Sequence, residues 1–310
     1  MSVVAVGTVA FDSIETPFGS VDKILGGSAV YVSLSGRFFY DDFGVVAVVG
    51  SDFPTEYIDL LKDRGIDLSG LEVVADGKTF AWAGRYNYDL NDRDTLATHL
   101  NVLDGFEPNV PSAYRQHSVV CLGNLAPVVQ QSVVAQVATP KYIVLDTMNF
   151  WIDNTLEQLV ATLKLADCLI INDSEARQLS GEANLIRAAR KIRDMGPQTL
   201  VIKKGEHGAL LFAEDHIFSV PAYPLEDIHD PTGAGDSFMG GFVGSLARSN
   251  DFSLDSMKRA VVYGSAVASF CVESFGPERL LEITRADIDR RAEAFRTLSE
   301  IPSLAYQLAD

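Results

Sequence analysis

Nine consecutive residues, Asp230-Pro231-Thr232-Gly233-Ala234-Gly235-Asp236-Ser237-Phe238, hold the densest set of chemically useful residue types in this chain. Asp230 is steered toward an extended conformation, because the residue before a proline avoids the helical region. Gly233, Ala234 and Gly235 have almost no side chain, so their backbone N–H groups can approach an anion closely. From Asp236 to Ala247 the small residues Gly240, Gly241, Gly244 and Ser245 predict a closely packed, buried helix. A glycine turn feeding a helix N-terminus supplies convergent N–H donors and a positive dipole end. A carboxylate there, Asp236, can take a proton from a hydroxyl while the neighbouring amides stabilise charge on a transferring phosphoryl group.

The string resembles the C-terminal motif of the PfkB, or ribokinase-like, carbohydrate kinases. That resemblance implies Asp236 as general base, the Gly233–Asp236 amides as anion hole, and Thr232, Gly233 and Gly235 against ATP. It extends along most of the chain. Gly7-Thr8-Val9-Ala10-Phe11-Asp12 resembles the family's first strand, which implies that Asp12 holds substrate hydroxyls. Gly26-Gly27-Ser28-Ala29 resembles the diglycine before the first helix, with Gly26 and Gly27 approaching the substrate. Asn172-Asp173-Ser174-Glu175 matches the N-x-x-E motif, placing Asn172 near ATP and Glu175 in indirect service of Mg²⁺; the same spacing also fits a helix capping box. Ile202-Lys203-Lys204-Gly205 resembles the strand-turn under the nucleotide, which implicates Lys203 and Gly205. The segment from Tyr263-Gly264-Ser265 to Gly276 resembles the helix and loop lining the adenine, with Ser265 against ATP. In many members this loop adjoins a monovalent-cation site, for which Asp230, Thr232, Glu273 and Gly276 are the candidates here and K⁺ the ion.

The chain also departs from the pattern. Tyr31 stands where the family's first motif usually carries a substrate-binding asparagine, and a phenol cannot supply an amide's paired donor and acceptor. The stretch between Asp12 and Gly26 is short, so a trimmed first hairpin is expected. Both differences argue against ribose itself. Asn149, following a strand end at Asp146, is a further substrate-side candidate.

Elements that position these residues follow from periodicity. Val3–Val6, Val45–Val49, Val119–Leu122, Tyr142–Leu145, Cys168–Ile171 and Thr199–Ile202 are continuous apolar runs, as in strands covered on both faces. Between them, 55–64, 128–138, 154–164 and 182–195 read as helices. The alternation predicts an α/β fold, a mostly parallel central sheet with helices on both faces. It reads as one domain over 1–310, with two extended segments, about 14–25 and 78–103, forming a small β-sheet lid. A lid matters because phosphoryl transfer must exclude water.

Composition narrows the classes further. A net charge of −17 argues against a nucleic-acid partner, since phosphate backbones are repelled. Cys121, Cys168 and Cys271 lie far apart in apolar runs, as expected of buried thiols in a cytoplasmic protein. The N-terminus reads as a core strand rather than a signal peptide, and no stretch is long enough to span a membrane. No G-x-G-x-x-G, G-x-x-x-x-G-K-[ST] or G-x-S-x-G pattern is present, and histidines 99, 117, 207, 216 and 229 lack metal-ligand spacing. The expectation is an ATP- and Mg²⁺-dependent kinase acting on a hydroxyl of a small sugar or polyol, monomeric or paired through lid strands. The alternatives are a nucleoside or inositol kinase of the same family, or a non-catalytic nucleotide- or sugar-binding regulatory protein.

Overall fold

Valine and isoleucine runs become strands wherever the chain can cover both of their faces. The computed structural model describes residues 1–91, 93–116 and 118–300; His117 lies outside them. The chain opens with β1 (Val3–Val6), β2 (Ala10–Thr16) and β3 (Gly19–Gly26), then α1 (Ser28–Arg37), β4 (Phe43–Gly50), α2 (Thr55–Asp63) and β5 (Asp67–Val74). A hairpin of β6 (Ala81–Tyr86) and β7 (Arg93–His99) follows. Next come β8 (Val119–Leu122), α3 (Pro127–Gln136), β9 (Tyr142–Leu145), α4 (Asn149–Asn154), α5 (Leu156–Leu163), β10 (Cys168–Asn172), α6 (Asp173–Ser180), α7 (Leu185–Arg193) and β11 (Thr199–Lys203). The antiparallel pair β12 (Ala209–Ala213) and β13 (His216–Val220) leads to α8 (Ala234–Ser249), α9 (Leu254–Cys271), α10 (Glu278–Glu282) and α11 (Arg285–Leu298).

The main sheet has nine strands in the order β13-β12-β11-β10-β9-β8-β1-β4-β5, parallel except for β12 and β13. Successive residues of its strands feed opposite cores, as the two-residue strand period requires. Val3, Val119, Cys121, Val144 and Ile170 pack toward α8, α9 and α11. Val4, Val120, Leu122, Leu145 and Ile171 pack toward α3, α5, α6 and α7. The first strand, β1, is flanked by β4 and β8, so the connections leave it in opposite directions. Ligands of open α/β sheets bind outside the carboxyl ends of the strands at such a switch point.

Two predicted helices begin elsewhere. The stretch predicted from 182 is preceded by α6, which Gly181 terminates in the left-handed region at φ 69°. α7 starts only after Asn184, whose side chain accepts from the amides of Ile186 and Arg187. The stretch predicted from 154 is split at Thr155, which separates α4 from α5.

The two extended segments meet in a second sheet of four strands, order β3-β2-β6-β7. It joins two antiparallel hairpins through a parallel β2–β6 contact. The first hairpin turns directly from Thr16 to Gly19, which accounts for the short segment between Asp12 and Gly26. All three cysteines are buried and free. Among the described residues no helix is long and apolar enough to cross a membrane.

α8 is sandwiched between α1 and α9 with unusually close backbone approach. A Cβ on Gly240 would lie 2.4 Å from Val32 O, and one on Gly244 would lie 2.7 Å from Gly36 O. On the other side, a Cβ on Gly264 of α9 would lie 2.8 Å from Phe238 O. Glycine is therefore required on steric grounds, although it costs helix propensity. Gly240→Ala should force α1 and α8 apart and destabilise the protein by about 1–3 kcal/mol. A urea denaturation midpoint equal to that of the unaltered protein would refute the close contact.

Candidate active site

Adjacent parallel strands end at one rim and hand polar groups to it. Asp146 directly follows the end of β9, β10 ends at Asn172 and β11 at Lys203, while β1 runs into Gly7-Thr8. Thr8 is locked to the start of α1. Its amide donates to Ser28 Oγ at 3.1 Å, and its Oγ1 accepts from the Ser28 amide at 3.0 Å. Both glycines ahead of α1 have a steric reason. A Cβ on Gly26 would fall 1.9 Å from Asp12 Oδ2, and Gly27 adopts φ 97° with Thr8 O where its Cβ would point. Asp12 on β2 is thereby packed against Gly26 and is 5% exposed.

Gly233 caps α8 in the left-handed region at φ 77°. A Cβ there would lie 2.4 Å from the ring of Tyr31. Tyr31 is itself buried under the turn, and its hydroxyl has no partner among the described residues. The predicted substrate-side tyrosine thus lies below the glycine turn as its floor, not at an exposed pocket wall. The Ala234 amide donates to Pro231 O, whereas the amides of Gly233, Gly235 and Asp236 have no partner among the described residues. Three unpaired N–H groups at a helix N-terminus make a ready anion site. A Cβ on Gly235 would lie 2.5 Å from Lys203 Nζ, so the ammonium borders the same turn.

Carboxylates crowd around that ammonium. Burial pushes Asp236 up to about 7, with Asp146 and Asp12 adding repulsion and Lys203 and Arg93 opposing it. Glu175 is also raised to about 7 by burial and by Asp146. Burial raises Asp146 as well, against the pull of Lys203 and Arg93. Asp12 rises to about 7 through burial and the nearby Asp230, with the Gly27 amide working the other way. A carboxyl near 7 is suited to proton transfer at neutral pH.

Neither Asp146 nor Arg93 was among the residues singled out from the sequence. Arg93 starts β7 on the small sheet, and its guanidinium lies 5.9 Å from the Trp82 ring centroid. Its influence on Asp146, Glu175 and Asp236 comes from the small sheet's position over the strand ends. No local pattern around Arg93 could have revealed that.

Asn172 and Glu175 form the capping box of α6: the Glu175 amide donates to Asn172 Oδ1 at 2.8 Å and the Asn172 amide to Glu175 Oε2 at 2.9 Å. No group of three or more metal-ligating side chains is arranged to hold an ion among the described residues. The crowded carboxylates Asp146 and Glu175 nevertheless fit magnesium in charge. Mg²⁺ usually keeps several waters and binds one or two carboxylates plus substrate phosphates.

The four residues assigned to a monovalent-cation loop are brought together, mostly by bonds to one another. Asp230, fully buried, accepts the Thr232 amide at 2.8 Å and the Gly276 amide at 3.1 Å. Glu273 is taken up by Arg279 at 2.8 Å and Arg291 at 2.7 Å, so its carboxylate is not offered to an ion. Asp230 has no basic partner among the described residues.

Three candidates stand apart from the carboxylate cluster. Asn149 is exposed at the first position of α4, with no side-chain hydrogen bond to the cluster among the described residues. Ser265 is half-buried on α9, next to the Gly264 contact with α8. Gly205 begins a tight turn at φ 53° and faces Asn91 of the small-sheet hairpin.

Comparison with known proteins identifies the family. The pfkB family carbohydrate kinase profile matches residues 3–283. A nucleoside kinase of Methanothermobacter thermautotrophicus is 28% identical, the match covering 93% of this chain and 94% of that protein. A cytidine kinase of Thermococcus kodakarensis is 26% identical, covering 80% and 89%. Among solved structures, the Burkholderia thailandensis nucleoside kinase in complex with inosine superposes with TM-score 0.78 at 20% identity, covering 94% of this chain and 97% of that one. The chain belongs to the pfkB family of carbohydrate kinases.

Proposed function

We propose that this kinase transfers the γ-phosphoryl group of ATP to a hydroxyl of a nucleoside, with Asp236 as the general base. The observation that carries the chemistry is the position of Asp236. It stands in the first turn of α8, behind a glycine turn with unpaired amides and beside Lys203. The acceptor hydroxyl is held between Asp12 and Asp236, and Asp236 takes its proton as the oxygen attacks phosphorus in line. Developing charge is met by the amides of Gly233, Gly235 and Asp236, by Lys203, and by Arg93 from the small sheet. Magnesium, when bound near Asp146 and Glu175, supplies charge neutralisation for the phosphates. A monovalent cation beside Asp230 belongs to the same reading, since that carboxylate is fully buried.

The acceptor class rests on a second feature. Trp82 is the register partner of Asp12 across the parallel β2–β6 contact. Register partners share a face of the sheet, so a flat aromatic stands beside the carboxylate assigned to hydroxyl binding. A nucleobase can stack on such a surface with its whole π-face, whereas a small sugar or polyol offers it only C–H groups. Relatives spanning most of this chain's length are named for nucleosides, in keeping with that arrangement. The small sheet acts as the lid that keeps water from the phosphoryl group.

In an ADP-release assay, nucleosides should exceed free ribose, fructose and inositol in kcat/KM by at least about 100-fold. Turnover with sugars alone would overturn the nucleoside assignment. Trp82→Ala should raise the nucleoside KM about tenfold or more, from stacking worth ~1–3 kcal/mol, and leave the KM for ATP unchanged.

Asp236→Asn should lower kcat by about 10²–10⁴ while ATP affinity, read by calorimetry, stays within about threefold. In the unaltered enzyme, kcat/KM for ATP should rise with pH through about 7 as Asp236 loses its proton. A flat profile between pH 5.5 and 8 would remove Asp236 from that role.

The same shift has a consequence for stability. The folded state holds the Asp236 proton up to about 7, while the unfolded chain releases it at the ordinary carboxylate value. Stability from this group is therefore full at low pH and is lost as pH rises through about 7. Ligand-free Asp236→Asn should melt higher than the unaltered protein at pH 8, by at least about 3 °C, with a smaller gain at pH 5. An equal or reversed difference in calorimetry would contradict the raised value.

A further inference from the structure

Tyr86 is the last residue of β6 and is 8% exposed, although the nearby Tyr88 is 85% exposed. The burial has a specific cause. Its hydroxyl accepts a hydrogen bond from Thr232 Oγ1 at 3.1 Å, linking the small sheet to the residue before Gly233. The Thr232 amide in turn donates to Asp230 Oδ1 at 2.8 Å. Beneath the same corner lies the ring of Tyr31, close enough to exclude any side chain at Gly233. The turn is thus held from below by a ring on α1 and from above by a hydroxyl on the small sheet. Among the described residues no other hydrogen bond joins the small sheet to the stretch 230–236.

We propose that Tyr86 is a positioning residue for phosphoryl transfer, setting the Thr232–Gly233 turn through this hydrogen bond when the small sheet is docked. The proposal rests on Asp236 and the glycine turn being the reaction centre. Arg93 is the cross-strand partner of Tyr86. The docking that lets Tyr86 order the amides therefore also brings the guanidinium toward Asp146 and Asp236. The anion site and its mobile positive charge are completed in one movement, and a γ-phosphate meets aligned donors only in the docked state.

The test uses the full chain. Tyr86→Phe keeps the buried ring and removes only the hydroxyl. It should lower kcat three- to tenfold with the KM for ATP within twofold, as expected for loss of one hydrogen bond that acts in the transition state. Thr232→Ser, which keeps a hydroxyl, should lose less kcat than Thr232→Val. The double variant Tyr86→Phe/Thr232→Val should be no slower than the slower single variant. Unchanged kcat in Tyr86→Phe, or effects that multiply in the double variant, would overturn the proposal. Amide hydrogen exchange of the ligand-free protein judges it without any acceptor. Exchange of the hydrogen-bonded Thr232 and Ala234 amides should accelerate at least about threefold in Tyr86→Phe, and identical exchange would overturn the role of Tyr86. Failure of the unaltered protein to phosphorylate any acceptor would instead count against the reaction centre itself.

Discussion

Four carboxylates, Asp12, Asp146, Glu175 and Asp236, share one buried rim with the ammonium of Lys203, and much of the molecule is arranged around that imbalance. Like charges held together out of water repel strongly, and buried charges persist only when they are paired, hydrogen-bonded or neutralised. Here the resident positive charge is too small. Part of the remainder arrives with Arg93 on the small sheet, and part with the helix dipole of α8. A metal–nucleotide complex brings its cation with it. A cation brought to this rim offsets the mutual repulsion of the carboxyls.

Such an arrangement demands a rigid support, which the glycines of α8 provide. Because Gly240 and Gly244 admit the backbone of α1, and Gly264 of α9 admits that of α8, the three helices are fixed by main-chain contact. Side-chain rotamers have little say in where the α8 N-terminus points. Tyr31, also on α1, then meets Gly233 directly. The floor of the turn and the helix it begins are consequently set by the same pair of elements. On the far side, Arg279 and Arg291 hold Glu273, and His229 Nδ1 lies 2.8 Å from the Glu273 carbonyl, bracing the strand of chain that leads into Asp230.

How much of this could be read in the amino-acid sequence depended on whether the residues are contiguous. β1, β8 and β9 begin and end where their apolar runs do, because strands buried on both faces carry an unbroken hydrophobic signal. The glycine turn and Asp236 lie in one string, so their placement at the start of one helix was legible before any fold was known. Asp146 carried no local mark beyond following an apolar run. Arg93 sits on an exposed edge strand and acts on groups from three other elements. The start of α7 was obscured because the Gly181 terminator and the Asn184 cap fall within three residues. Asn172 and Glu175 show the opposite difficulty: one spacing encodes a capping box, and the structure satisfies it.

The order of strands has a consequence in time as well as in space. β1 is the first strand of the chain, yet its position is central: Val3 pairs with Phe43 on one side and with Val119 on the other. One edge of β1 stays bare until β8 has been synthesised and can reach it. Closing that long intervening loop costs entropy before any parallel ladder bond repays it, so folding of this sheet is intrinsically slow. During that interval Val3–Val6 is an exposed apolar edge, the segment of the nascent chain most in need of protection from other unfinished chains.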